Sequence, residues 1–128
     1  MANKSADKRF TKDHEWVLLD GDIATIGITD HAQEQLGDLV HVELPELDRQ
    51  VTEAETCAVV ESVKAASDVY APLAGKVVEI NETILDDPSI VNSDAEGEGW
   101  FFRLELDDAD AFETLMDQDA YDEFLETL

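Results

Sequence analysis

Glu61-Ser62-Val63-Lys64-Ala65-Ala66-Ser67-Asp68 is the joint from which the rest of the chain can be read. An apolar strand, Cys57 to Val60, runs into it and a second strand, Val69 to Ala71, leaves it, so a hairpin is expected with Lys64 at or beside its tip. Ala65, Ala66 and Ser67 place little bulk around that amine. Acylation of such a lysine would remove its charge and leave the stem as a long flexible tether. Tethering presents a cargo to successive partners at high effective concentration without strong protein–protein affinity. Position alone would suit a solvated surface lysine better. The distribution of bases favours the tether: Lys4, Lys8, Arg9 and Lys12 crowd the N-terminal arm, and beyond residue 12 the only lysines are Lys64 and Lys76. A chain so depleted of lysine that keeps one at an exposed turn points to a need for the amine itself.

Similar segments flank the joint. Gly37-Asp38-Leu39-Val40-His41-Val42-Glu43 and Gly75-Lys76-Val77-Val78-Glu79-Ile80-Asn81 share the order glycine, any, apolar, valine, polar, apolar, polar. Each is followed by a loop, a valine (Val51 or Val91) and a strongly apolar strand, Cys57 to Val60 or Trp100 to Leu104, with the longer loop in the second copy. Neither half could bury its apolar face alone. Two sheets packed face to face, with the halves related by a pseudo-twofold, are therefore expected.

Outward from the repeat, His14 to Leu19 and Ile23 to Ile28 read as strands joined by the turn Asp20-Gly21-Asp22. Thr29-Asp30 is placed to cap a short helix from His31 to Leu36, with Gln33 completing a capping box and Gly37 ending the helix. Further strands are expected at Leu39 to Leu44, Lys76 to Ile80 and Trp100 to Leu106. Phe112, Leu115 and Met116, then Tyr121, Phe124, Leu125 and Leu128, have helical spacing and predict two short amphipathic helices over residues 107–128. Residues 1–12 read as a polar arm. With 128 residues in all, a single mostly β domain is expected.

Thirty-two acids against eight bases give a formal charge of −24, which would repel a phosphate backbone and excludes nucleic acid as an expected partner. No apolar run suits a membrane span, and Met1 to Arg9 is polar, unlike a secretory signal, so a soluble cytoplasmic protein without a membrane partner is expected. So acidic a chain, with lysine depleted and 44% of residues still apolar, also fits a salt-adapted host, since salt screens its self-repulsion. Cys57, the one cysteine, sits in an apolar strand and reads as a buried small hydrophobe. His14, His31 and His41 lack metal-ligand spacing, so no metal site is expected. Trp16 and Trp100 are assigned to packing. With no nucleophile, base and carboxylate constellation evident, the chain reads as a carrier and not as an enzyme.

Several motifs carry a family resemblance in the same order along the chain. Glu61-Ser62-Val63-Lys64-Ala65 with Ser67-Asp68, His14-Glu15-Trp16, Ala24-Thr25-Ile26-Gly27-Ile28-Thr29-Asp30-His31-Ala32-Gln33, Leu36-Gly37-Asp38, Val42-Glu43-Leu44-Pro45 and Gly99-Trp100 all resemble the H proteins of the glycine cleavage system. The resemblance covers residue 10 or so to the C-terminus. It implies a barrel-sandwich hybrid fold, like that of lipoyl domains, with lipoate in amide linkage to Lys64. Glu61, Ser62, Val63, Ala65 and Asp68 would then be read by the lipoate-attaching enzyme.

The resemblance also implies a cycle. The oxidised arm accepts an aminomethyl group from a pyridoxal-phosphate-dependent glycine decarboxylase, a folate-dependent aminomethyltransferase takes the one-carbon unit, and dihydrolipoyl dehydrogenase reoxidises the dithiol. Between the first two stations the cationic load would dock in an acidic cleft on a monomeric carrier, at positions matching Asp13, Glu15, His31 and Asp68. Asp13 stands where relatives often have serine, so it either strengthens docking or only acidifies the surface. Two alternatives are a lipoyl carrier of another multienzyme complex and an unmodified interaction protein on the same scaffold. Biotin carriers usually flank their lysine with methionine, whereas here Val63 and Ala65 do so.

Overall fold

The structure, a computed structural model, describes residues 8–128. Residues 1–7 of the expected N-terminal arm lie outside the described residues. Among the described residues nine strands form two sheets. The strands are β1 (Lys8–Phe10), β2 (Glu15–Asp20), β3 (Ile23–Ile28), β4 (Leu39–Glu43), β5 (Gln50–Val51), β6 (Thr56–Ser62), β7 (Ala66–Tyr70), β8 (Gly75–Ile80) and β9 (Phe102–Leu106). The order β1-β2-β3-β9-β8-β5 makes the larger sheet and β4-β6-β7 the smaller. One apolar cluster joins them, drawing Val17, Ala24 and Ile26 from the first and Val42, Ala58, Val60 and Val69 from the second. This mostly β architecture is the expected barrel-sandwich hybrid.

The repeat is present in the strand pairing. β4 lies antiparallel to β6 with a register shift between Leu39 and His41, and β8 lies antiparallel to β9 with a shift between Val77 and Glu79. These irregularities fall at the same place in the two copies, at Val40 and Val78, and both valines are turned outward in consequence. The runs β3-β9-β8 and β7-β6-β4 have matching order, so each half lends its first strand to the other half's sheet.

Where the copies differ, the longer loop of the second folds into two helices that sequence periodicity was too short to announce: α2 (Glu82–Asp86) and α3 (Ser89–Ser93). Val51 and Val91 nevertheless occupy matching buried sites, one in β5 and one in α3. Asn92 of α3 ties this region together. Its Oδ1 accepts from the Leu39 N–H at 2.9 Å, while its Nδ2 donates to Gly37 O at 2.9 Å and Gln33 Oε1 at 3.0 Å. Asn92→Ala leaves those half-buried groups unpaired and is expected to cost about 2 kcal/mol. Urea denaturation measures it, and an unmoved midpoint would show the clamp to be idle.

The N-terminal arm differs from expectation because its last residues have somewhere to go. Lys8–Phe10 pairs with β2, and Phe10 exchanges main-chain hydrogen bonds with Met116. Phe10 also stacks on Tyr121 at 4.6 Å. The first C-terminal helix is a 3₁₀ helix, Ala109–Thr114, and only the second, α4 (Gln118–Glu126), is α-helical. Tyr121 is buried with Phe10 and Trp16, and Phe124 and Leu125 pack against them, whereas Leu128 stays exposed.

Trp16 is buried as expected, and its indole N–H donates to Ala95 O at 2.9 Å. That ring lies so close over Gly27 that an added Cβ would stand 2.8 Å from Nε1, which accounts for glycine in the middle of β3. Trp100 precedes β9 and is half-buried: it packs against the Phe10, Trp16 and Tyr121 cluster as assigned, and the Arg103 guanidinium lies 4.0 Å from its ring centre. The cation thus covers the part of this tryptophan that the cluster leaves open.

Candidate functional site

The hairpin tip is tighter than the eight-residue joint suggested. Pairing continues through Glu61 opposite Ala66, so only Ser62, Val63, Lys64 and Ala65 turn the chain. Ser62 makes this turn. Its main-chain N–H donates to Ala65 O at 2.7 Å, and its Oγ accepts from the N–H groups of Lys64 (3.2 Å) and Ala65 (3.0 Å). From the other side, the Val63 N–H donates to Asp38 O at 3.1 Å and fixes the tip to the segment entering β4. Val63 and Lys64 are exposed, the former at 71% of its full surface, and among the described residues the Lys64 amine has no ion-pair or hydrogen-bond partner.

The Lys64 stem runs over Gly37, where an added Cβ would meet Cε at 3.3 Å and Nζ at 3.8 Å. Gly37 ends α1 (Asp30–Leu36) with a φ of +84°, a left-handed value that a glycine reaches without strain. The helix starts on Thr29, whose Oγ1 accepts from the Ala32 N–H. Gln33 departs from the expected capping box by donating its side chain to Asp30 Oδ1. The apolar residues Ala32 and Leu36, four apart, are only half-buried, because they face a cleft.

That cleft, of about 160 Å³, lies between α1, β3 and the β6–β7 hairpin. Ile28, Ala32, Leu36, Val60 and Val69 give it apolar walls, and Asp13, Glu15 and Asp68 give it acids. Three of the four expected cleft residues therefore come together. His31 does not line it: His14 does, with the His31 ring tilted against it at 4.6 Å between centres. Ala32 and Leu36 carried a usable sequence signal in their helical spacing after Ile28. His14 carried none, since its place depends on a backbone φ of +66°.

Glu15 is the unusual acid. It is 2% exposed, its Oε2 accepts from the Tyr70 N–H at 2.7 Å and its Oε1 from the Thr11 hydroxyl at 3.0 Å. Burial pushes its carboxyl from the ordinary 4.5 up to about 7, against the pull of those two donors. Burial also lowers the His14 pKa, helped by His31 and opposed by Asp13. Cys57 is buried as expected, and its thiol is pushed up to about 11, which leaves it unreactive. Among the described residues no cluster has the make-up of a metal site.

A doubled β-sandwich that offers a free lysine at the joint of its halves, beside a half-apolar, half-acidic cleft, belongs to the class of carriers that hold a cofactor arm and leave catalysis to others. The family model for the glycine cleavage H-protein matches residues 8–128, and the chain belongs to that family. It is 64% identical over 122 residues to the glycine cleavage system H protein of Acidiphilium cryptum, covering 95% of this chain and 98% of that one. Against the H protein of Thermotoga maritima the identity is 56% over 117 residues, 91% and 94% of the two chains. A crystal structure of a glycine cleavage system H protein from Mycobacterium marinum superposes with a TM-score of 0.83 at 36% identity, covering 96% of this chain and 98% of that one. The chain is thus a lipoyl carrier of the glycine cleavage system, in a family whose members bear lipoate on a lysine and are not themselves catalysts.

Proposed function

We propose that Lys64 is the lipoyl-bearing lysine and that the neighbouring cleft receives the loaded arm. The observation that carries this is the free, exposed amine at a rigid tip, adjoining a cleft whose walls suit a hydrocarbon arm and whose acids suit a cationic load. When bound, lipoate supplies a reversible dithiol–disulfide couple on a long tether. The chain's own residues do the rest. Ser62 holds the turn so that residue 64 projects; Glu61, Val63, Ala65 and Asp68 complete the face that the attaching enzyme reads. Ile28, Leu36 and Val60 exclude water from an arm lying against them, and Asp13, Glu15 and Asp68 orient an ammonium group by charge. His31 acts on this site through His14.

The partners of this carrier are the pyridoxal-phosphate-dependent glycine decarboxylase, the folate-dependent aminomethyltransferase, dihydrolipoyl dehydrogenase and the lipoate-attaching enzyme, met in turn by one monomeric domain in the cytoplasm. Support comes from the family and from the absence, among the described residues, of any helix long and apolar enough to cross a membrane. Intact mass of the protein from its host, followed by peptide mapping, tests the assignment. The lipoyl increment should fall on the peptide containing Lys64, and an increment elsewhere would refute it.

Salt adaptation of the host belongs to the same reading. The charge of −24 is offset among the described residues by few ion pairs, Lys8–Glu96, Arg49–Glu55 and Arg103–Glu79, together with His41 beside Glu43. The remaining acids repel one another over a Debye length that lengthens from about 3 Å at 1 M salt to about 30 Å at 0.01 M. Dialysis into low salt is expected to diminish the circular dichroism signal of the fold, and an unchanged spectrum would reject salt adaptation.

A further inference from the structure

The wall residue His14 is gripped from behind by the C-terminal helix. Its Nδ1 lies 2.8 Å from the Tyr121 hydroxyl, which lies 2.8 Å from Thr29 Oγ1, and Thr29 Oγ1 accepts from the Ala32 N–H. The direction of these bonds can be decided. Thr29 is fully buried, and among the described residues its hydroxyl touches only the Ala32 N–H and the Tyr121 oxygen. Its own proton must therefore go to Tyr121, because a buried hydroxyl proton without an acceptor is costly. The Tyr121 proton then has His14 Nδ1 as its acceptor, so that nitrogen carries a lone pair and the ring proton sits on Nε2. The backbone at His14 is held equally firmly: its N–H donates to Thr11 O, its carbonyl accepts from the Thr29 N–H, and its φ is +66°. A non-glycine residue fixed in that region is a feature that functional sites retain.

We infer that Tyr121 and Thr29 are positioning residues that hold His14 as the neutral Nε2–H tautomer, so that this wall of the cleft offers a proton donor and no base. The inference rests on the reading that the cleft receives a cationic amine. With Nδ1 engaged by Tyr121, Nε2 is the only ring nitrogen left for an occupant, and a protonated Nε2 has no lone pair with which to take a proton from an ammonium group held by Asp13, Glu15 and Asp68. Deprotonation would put a lone pair on the amine nitrogen, and in an aminomethyl thioether that pair can form a C=N bond as the C–S pair leaves on sulfur, so that the load departs as a methyleneiminium ion that water hydrolyses. The C-terminal helix thereby protects the cargo from a distance, through one hydroxyl.

Long-range proton–nitrogen correlation of the imidazole groups in the full chain, recorded near neutral pH, tests this without the arm. His14 should show a pyridine-like Nδ1 and a pyrrole-like Nε2. Tyr121→Phe keeps the ring stacked on Phe10 and removes only the hydroxyl, so the two nitrogen shifts should converge toward a tautomer mixture. Thr29→Ser keeps the hydroxyl and should retain the wild-type pattern. On the amine-loaded, lipoylated carrier, Tyr121→Phe should then lose its load several-fold faster than wild type in the absence of partner enzymes. A wild-type His14 with its proton on Nδ1 overturns the inference with no variant needed. So does a Tyr121→Phe chain that keeps the wild-type shifts or holds its load as long. Because the tautomer is read before acylation, its failure is distinguishable from a failure of Lys64 to carry lipoate.

Discussion

Lys64→Arg is expected to leave the fold untouched and to abolish the acylated form completely. The turn uses residue 64 only through its main-chain N–H, which donates to Ser62 Oγ, and arginine keeps that group and the positive charge. The Lys64 side chain is exposed, so the change in stability should stay within about 0.5 kcal/mol. Acylation, by contrast, requires an amine that can lose a proton and attack. A guanidinium remains protonated at every accessible pH and cannot do so. The intact mass of the variant should lack the lipoyl increment at every expression level, circular dichroism should match wild type, and glycine-dependent exchange of carbon dioxide with the decarboxylase should fall to background. Lys76→Arg, an exposed position in β8 away from the hairpin, supplies the control and should keep the increment. Persistence of the increment in Lys64→Arg would move the arm to another residue and remove the functional basis of the cleft with it.

The parts of this molecule that were legible in its sequence are those set by short-range chemistry. Short apolar and β-branched runs marked β2, β3, β6 and β9, and the two glycine-led copies pointed to two packed sheets with related halves, which the like pairings of β4 with β6 and β8 with β9 display. Lys64 stood out because it is a lysine in a lysine-poor acidic chain. The unread parts depend on partners far along the chain. Lys8–Phe10 is too short and too charged to read as a strand, and becomes one because β2 offers an edge and Met116 a second set of main-chain groups. Residues 82–93 form α2 and α3 because Asn92 can clamp the entry to β4, more than fifty residues earlier in sequence, as the distance from Leu39 shows. Likewise His14 replaces His31 on the cleft wall because Tyr121, from the last helix, takes hold of it. Spacing cannot report such contacts.

Stability should fall as pH rises through the range in which Glu15 titrates, and Glu15→Gln should remove that fall. In the folded chain the carboxyl holds its proton up to about pH 7, whereas in the unfolded chain it releases it near the ordinary 4.5. Between those values the folded state binds more protons than the unfolded state, so the unfolding free energy has a negative slope in pH. The advantage of the protonated carboxyl is fully present below the unfolded value and is lost as pH rises through the folded one, a difference worth about 3 kcal/mol. Glutamine is a neutral match in shape. Its oxygen can accept from the Tyr70 N–H, but its amide meets a Thr11 oxygen that already accepts from the Asp13 and Glu15 N–H groups, so the Thr11 bond is lost at a cost of about 1 kcal/mol that does not depend on pH. Urea titrations at pH 5 and pH 8 should therefore show the variant less stable by about 1 kcal/mol at pH 5 and more stable by about 2 kcal/mol at pH 8. An equal gap at the two pH values would mean that Glu15 does not titrate in this window. The carboxylate that destabilises the empty cleft at pH 8 is the one that a docked cation would compensate, since an opposite charge at close range restores the ionised form. Affinity of the cleft for an amine should accordingly rise with pH through about 7 in wild type and stay flat in Glu15→Gln. A more stable variant with a weaker cleft is the signature of a charge kept for its occupant, because a residue selected for packing alone would lose both together.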